Sequence, residues 1–211
     1  TMPRLQQLDA QFSGSVDLAN YQQGSGDLNI SAHQIHRNPY QIDKFSASGS
    51  LDGSMATLDL NLQQQQQQLA ANLQVQQLWA SQPSVQATVN GNQINPGYWM
   101  QDSTYAGDLN FETEVNGQGW YPQKQPWSYS FKIADSRMMG QPISEFTAEG
   151  QLSEEDARLD ARLQIRQSVV ELGADVRNMN SEVAYNYDLQ ARDLDLGSLL
   201  GLPDFRTAIH G

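Results

Sequence analysis

The chain repeats itself at a spacing of 101 residues. Residues 45–75 fall on residues 146–176 without a gap, and eleven of the thirty-one positions are identical. Phe45, Ala47, Gly49 and Leu51 meet Phe146, Ala148, Gly150 and Leu152. Ala56, Leu58, Asp59 and Leu62 meet Ala157, Leu159, Asp160 and Leu163, and Gln63, Gln66 and Val75 meet Gln164, Gln167 and Val176. A fixed period marks a stacked array, in which each unit buries its apolar face against its neighbours. The expected units are 1–99 and 100–202, with 203–211 opening a third. Thr1-Met2-Pro3 does not read as a native start, and Gly211 falls where another strand is due, so the chain is expected to be an internal piece of a longer protein.

Within each unit the hydrophobic pattern has period two. Leu58, Leu60 and Leu62 alternate with Asp59 and Asn61; Leu73 and Val75, then Val85 and Val89, continue the pattern. The second unit offers Leu109 and Phe111, then Tyr129, Phe131 and Ile133, then Phe146 and Leu152. Leu159, Leu163 and Ile165 follow, then Leu172 and Val176, and Tyr185, Tyr187 and Leu189. Alternation of this kind makes strands with one apolar and one wet face, and at least a dozen are expected. Turn signals separate them: Gly24-Ser25-Gly26, Asp52-Gly53, Asn90-Gly91, Pro96-Gly97, Asn116-Gly117 and Met139-Gly140. Short connections between successive strands give an antiparallel meander. Glu154-Glu155-Asp156 aligns with a turn, and the six glutamines from Gln63 to Gln68 align with a link between two strands, so they are placed at a hairpin tip. Helix is expected only as a single turn near Asp195–Pro203, the counterpart of a connector at Gln93–Trp99.

Composition limits what such a sheet can do. Net charge is −12 and the pI about 4.4. Nucleic acid is a poor partner, because phosphate binding needs clustered Lys and Arg. Cysteine is absent, which excludes disulfides and thiolate chemistry. No apolar run is long enough to cross a bilayer as a helix.

Catalytic constellations are missing too. His33 and His36 are read as solvent-facing imidazoles, with no third ligand to complete a metal set, and His210 stands alone. Carboxylate pairs such as Asp193 and Asp195, or Glu154 to Asp156, are read as solvated groups in turns and on polar faces, whereas acid–base work needs two carboxylates in a pocket. No glycine-rich loop opens a helix to cradle a phosphate. Asn29-Ile30-Ser31 matches a glycosylation sequon in mid-strand. Tyr98, Trp99, Trp120, Tyr121 and Trp127 are read first as aromatic packing where two units join, and second as a sugar platform. The expectation is no enzyme, no cofactor and no metal.

Function then falls to the apolar face. Its first-half side chains are largely Leu, Val and Ala, which fill a thick core poorly. A sheet bent into a trough would present a smooth aliphatic floor. Burying a CH₂ gains about 0.8 kcal/mol, so a sixteen-carbon acyl chain gains roughly 12 kcal/mol gross. A plain β-sandwich fits the same alternation.

The cadence Asp108-Leu109-Asn110-Phe111, Gly117-Gln118-Gly119, Asp135-Ser136, Gly140-Gln141-Pro142-Ile143 and Phe146-Thr147-Ala148-Glu149-Gly150 resembles the AsmA-like superfamily. The resemblance is strongest to its TamB branch of translocation and assembly module proteins. It runs on through Leu172-Gly173-Ala174-Asp175-Val176 and Asp193–Pro203, covering nearly the whole chain. The resemblance implies an all-β repeating groove, a β-taco with a hydrophobic concave face. It implies a periplasmic parent protein anchored in the inner membrane and moving phospholipid to the outer membrane, whose acyl chains the residues above would line. It also implies an outer-membrane barrel partner, bound through parts of the parent outside this chain. Two other functions are weighed: an assembly or chaperone module for outer-membrane proteins, and a β-sandwich glycan-binding module. A repeat array with open edges is also expected to associate end to end.

Overall fold

The computed structural model describes residues 7–15, 21–122, 125–195 and 208–209. Twelve strands form one sheet whose order follows the chain: β1 (Gln7–Ser15), β2 (Ser25–Arg37), β3 (Tyr40–Asp52), β4 (Met55–Gln64), β5 (Gln67–Gln76), β6 (Ser84–Ile94), β7 (Gly107–Gln118), β8 (Trp127–Met138), β9 (Gln141–Leu152), β10 (Ala157–Ile165), β11 (Ser168–Arg177) and β12 (Ala184–Arg192). The fold is an antiparallel meander, and among the described residues β1 and β12 are each paired on one side. A separate two-residue ladder joins β13 (Leu194–Asp195) to β14 (Ala208–Ile209). The expected helical turn before Pro203 and the side chain of His210 lie outside the described residues.

The chain divides into two compact units: Thr1–Ile94 with Glu114–Tyr121, and Asn95–Thr113 with Pro122–Gly211. The 101-residue spacing carries β5 onto β11 residue for residue, and carries β2, β3, β4 and β6 onto β8, β9, β10 and β12 within three residues at either end. Non-glycine residues with left-handed backbone keep the same spacing: Gln34 and Asp135, Gln65 and Arg166, Gln77 and Asn178.

The loop after β5 repeats as well. Leu78 N–H donates to the Ser54 carbonyl at 2.8 Å, and Met179 N–H donates to the Glu155 carbonyl at 2.8 Å. Trp79 Nε1 donates to the Gly53 carbonyl, and Asn180 Nδ2 to that of Glu154. Different side chains make the same attachment, because the acceptor is backbone in both units.

The hairpin tips follow local chemistry. Met139 and Gly140 both have positive φ, as a two-residue primed turn requires. Gln65 and Gln66 form the two-residue tip between β4 and β5, which places the glutamine run in a hairpin with strand flanks. Between β9 and β10, Ser153 Oγ accepts from Asp156 N–H at 2.9 Å and closes the turn that holds Glu154 and Glu155.

Three turn signals behave differently. Asn90-Gly91 lies inside β6 and Asn116-Gly117 inside β7, so neither is a turn. Gly91 is buried opposite Leu69, whose side chain can cover a residue that has none. Pro96-Gly97 opens a helical turn, α1 (Pro96–Met100), with Asn95 as N-cap accepting from Tyr98 N–H. A Cβ on Gly97 would sit 2.8 Å from both Ala106 N and the Asp102 carbonyl, so only glycine allows this approach.

Candidate functional site

Register turns the period-two pattern into a surface. In the first unit four apolar rows cross the strands. They run Leu8, Ala32, Phe45, Leu62, Leu69; Ala10, Ile30, Ala47, Leu60, Ala71, Val89; Phe12, Leu28, Gly49, Leu58, Leu73, Ala87; and Gly14, Gly26, Leu51, Ala56, Val75, Val85. The intervening rows are polar, as in Gln11, Asn29, Ser48, Asp59, Asn72, Thr88. Successive residues point to opposite faces, so one face is aliphatic and the other wet. A slip of one residue would exchange them.

The second unit repeats the arrangement with larger side chains. Its rows are Ile133, Phe146, Leu163, Val170, Ala191; Phe131, Ala148, Ala161, Leu172, Leu189; Tyr129, Gly150, Leu159, Ala174, Tyr187; and Trp127, Leu152, Ala157, Val176, Tyr185. Phe111, Phe131 and Phe146 form a chain of ring contacts with centroids 5.9 Å apart at each step. Leu109 stands two residues before Phe111 on β7, and Ile165 two residues beyond Leu163 on β10.

This face is not a closed core. Of the residues singled out from the sequence, Val75 and Val85 are buried, while Leu152, Tyr185, Tyr187 and Leu189 are exposed. The rest are half-buried: Leu58, Leu60, Leu62, Leu73, Val89, Leu109, Phe111, Tyr129, Phe131, Ile133, Phe146, Leu159, Leu163, Ile165, Leu172 and Val176. Among the described residues the buried apolar side chains are small ones, Ala32, Ala47 and Pro83 beside the two valines. Sequence reasoning passed over Leu8, Ala10, Phe12, Leu28 and Ile30, which extend the rows onto β1 and β2. Their alternation was there to be read.

On the wet face Glu171 accepts from Arg192 at 2.7 Å and faces Arg162 at 3.7 Å, across three adjacent strands. Arg158 binds Asp160 at 2.9 Å, and that hydrogen bond holds its guanidinium pKa above the ordinary arginine value. Exposed pairs of this kind contribute little to stability, because solvent screens them. They keep this face hydrated.

His33 lies opposite Lys44, and His36 opposite Gln41, on β2 and β3. Among the described residues no group of three or more His, Asp or Glu is placed to hold a metal ion. Trp120 and Tyr121 are exposed, while Tyr98 and Trp99 pack edge to face at 5.3 Å. Among the described residues no helix is long and apolar enough to cross a membrane. Comparison of the chain with protein families, curated proteins and solved structures finds no match.

Proposed function

We propose that this chain is a segment of a bridge-like lipid transfer protein, and that its apolar face holds phospholipid acyl chains. The observation that carries the reading is the in-register apolar face whose large side chains stay half-exposed, with all twelve strands in a single sheet. A β-sandwich would cover such a face with a second sheet. Six strands about 4.8 Å apart span roughly 24 Å. One leaflet of hydrocarbon is about 15 Å deep, half of the ~30 Å core. Each unit is therefore wide enough to lay one extended acyl chain across its strands. The first unit's rows carry no polar side-chain atoms and offer such a chain no fixed stopping point, which suits sliding more than storage. The resemblance to AsmA-like proteins adds the setting: a periplasmic segment, an inner-membrane anchor elsewhere in the parent, and phospholipid passing between two membranes.

Organic extraction of the purified protein followed by lipid mass spectrometry tests this, with a soluble β-sandwich as control. Near-stoichiometric phospholipid is expected. Lipid no higher than the control, before and after soaking with a short-chain phospholipid, would refute the reading.

A second reading, an assembly module for outer-membrane proteins, draws on β1 and β12, each paired on one side among the described residues, since a strand edge left unpaired can accept a client strand. Crosslinks from these edges to nascent barrel proteins in the full parent protein would support it, and their complete absence would sink it.

A further inference from the structure

A place on the wet face that the first unit fills with neutral side chains carries four charges in the second. There a cavity of about 450 Å³ opens between the ends of β9, β10 and β11, within the roughly 300–1,000 Å³ typical of small-molecule sites. Arg158, Arg177, Asp156 and Asp175 line it, with Gln151 and Ser153 beside them. Register explains the arrangement. Arg158 pairs with Asp175 and Ala157 with Val176, so Asp156 comes beside Arg177 one step further on. Residues two apart on a strand share a face, which puts the arginines on one diagonal of a square and the aspartates on the other.

These opposite charges do not spend themselves on one another. The side chains of Arg177 and Asp175 make neither a hydrogen bond nor an ion pair. Arg158 gives only Nε, to Asp160 at 2.9 Å, which leaves its two terminal nitrogens. Asp156 accepts one backbone N–H, from Asn178 at 3.3 Å. At the matching positions of the first unit stand Met55, Thr57, Gln74 and Gln76. Three of these are bonded to neighbours: Thr57 Oγ1 lies 2.7 Å from Ser50 Oγ, and Gln74 Nε2 donates to Met55 Sδ at 3.6 Å. The whole chain holds only 12 Lys and Arg, so two guanidiniums with free donors at one cavity are not a product of composition.

We infer that this cavity binds a dipolar phosphoryl group, a phosphate ester that carries a protonated amine. A phosphate alone would meet two carboxylates, and an amine alone two guanidiniums. A ligand with both charges satisfies both diagonals. Two guanidiniums facing from opposite corners suit the tetrahedral oxygens of a phosphate, whereas a carboxylate presents both oxygens in one plane to a single arginine. Such a group comes either as the headgroup of a zwitterionic phospholipid or as a free phosphoamine. The site stands apart from the lipid-holding reading, since its charged side chains belong to the wet face.

Titration of the full chain with glycerophosphoethanolamine, which has no acyl chains, tests this through the arginine Nε–H signals in NMR. Saturable shifts at Arg158 and Arg177 are expected, with a dissociation constant on the order of 1 mM, as suits an exposed site. Glycerol phosphate and ethanolamine, each tested alone, should bind about tenfold more weakly. So should Arg177→Gln and Asp175→Gln, which install the first unit's residues and should leave the circular dichroism unchanged. No saturable shift with the dipolar ligand, or equal binding of glycerol phosphate, would overturn the inference. Unchanged affinity in both folded variants would do the same. Nanodiscs of phosphatidylethanolamine and of phosphatidylglycerol separate the sources. Binding to the first alone assigns a lipid headgroup; binding to neither, with the soluble ligand bound, assigns a free phosphoamine. A negative result leaves the extraction test of the apolar face untouched.

Discussion

Single residues interrupt this sheet's ladders where side-chain chemistry would not place a break. Gln34 and Asp135 have φ of 52° and 45° in the middle of β2 and β8, a conformation that L side chains disfavour. The ladder skips both: His33 pairs with Lys44 and Ile35 with Ile42, as Ala134 pairs with Glu145 and Ser136 with Ile143. The apolar parity changes at this point. Ala32 is on an even position and Ile35 on an odd one, and the left-handed residue between them is where the alternation is reset. The same conformation at the tip residue Gln65 is testable in isolation, since Gln65 is exposed. Gln65→Gly is expected to stabilise the protein by about 0.5–1 kcal/mol, the left-handed penalty less the extra freedom of an unfolded glycine. Gln65→Val should destabilise it, because β-branching worsens the strain. Denaturant midpoints of the two variants decide the matter, and a lower midpoint for Gly would contradict the backbone argument.

At the scale of elements, the repeat preserves geometry more strictly than composition. Gly49 and Gly150 are equivalent, yet their surroundings differ. A Cβ on Gly49 would approach the Thr57 carbonyl at 3.2 Å, whereas one on Gly150 would collide with the Arg158 carbonyl and the Tyr129 ring. The Tyr129 hydroxyl crosses Gly150 to donate to that same carbonyl at 3.2 Å. Gly150→Ala should therefore cost about 1–3 kcal/mol through forced displacement, and Gly49→Ala clearly less. Equal losses for the two in chemical denaturation would show that the tyrosine is not the constraint. The connector between β6 and β7 supplies a pH signature. Asp102 accepts from the Thr104 backbone N–H and then from its side chain, which lowers its carboxyl pKa below 3.8. A lowered folded value contributes stability above the unfolded value, and that contribution fades as pH falls through the folded one. Asp102→Ala should narrow its gap to the wild type as titration goes below about pH 3.8, and an unchanged gap would contradict the capping role.

For the whole molecule, the half-exposure of the large apolar side chains lets the proposed lipid holding be tested apart from core packing. Leu60→Arg in the first unit and Leu163→Arg in the second should each cost only about 1 kcal/mol of stability, roughly half the transfer energy of a buried leucine. The lipid recovered by extraction should fall several-fold in both. Intact lipid recovery in folded variants would disprove the groove, and outright unfolding would show the face to be a closed core.

The all-β antiparallel meander was legible in the sequence, because period two is written in residues such as Leu58-Asp59-Leu60-Asn61-Leu62 and short turns separate the alternating runs. So was the apolar set, since alternation alone assigns side chains to faces. Local signals misled where tertiary contacts outweighed them: Gly91 and Gly117 read as turns, but pairing with neighbouring strands holds both in extended backbone. Only the folded chain decided the register, because a face is continuous only if Ala47, Leu60 and Ala71 meet across three strands, and pairing between strands is not encoded in any one of them. It alone decided the left-handed residues, whose strain no side-chain pattern announces. It decided also that the apolar face stays half-open, since exposure is a property of what lies opposite a surface, which a row of alternating residues does not specify.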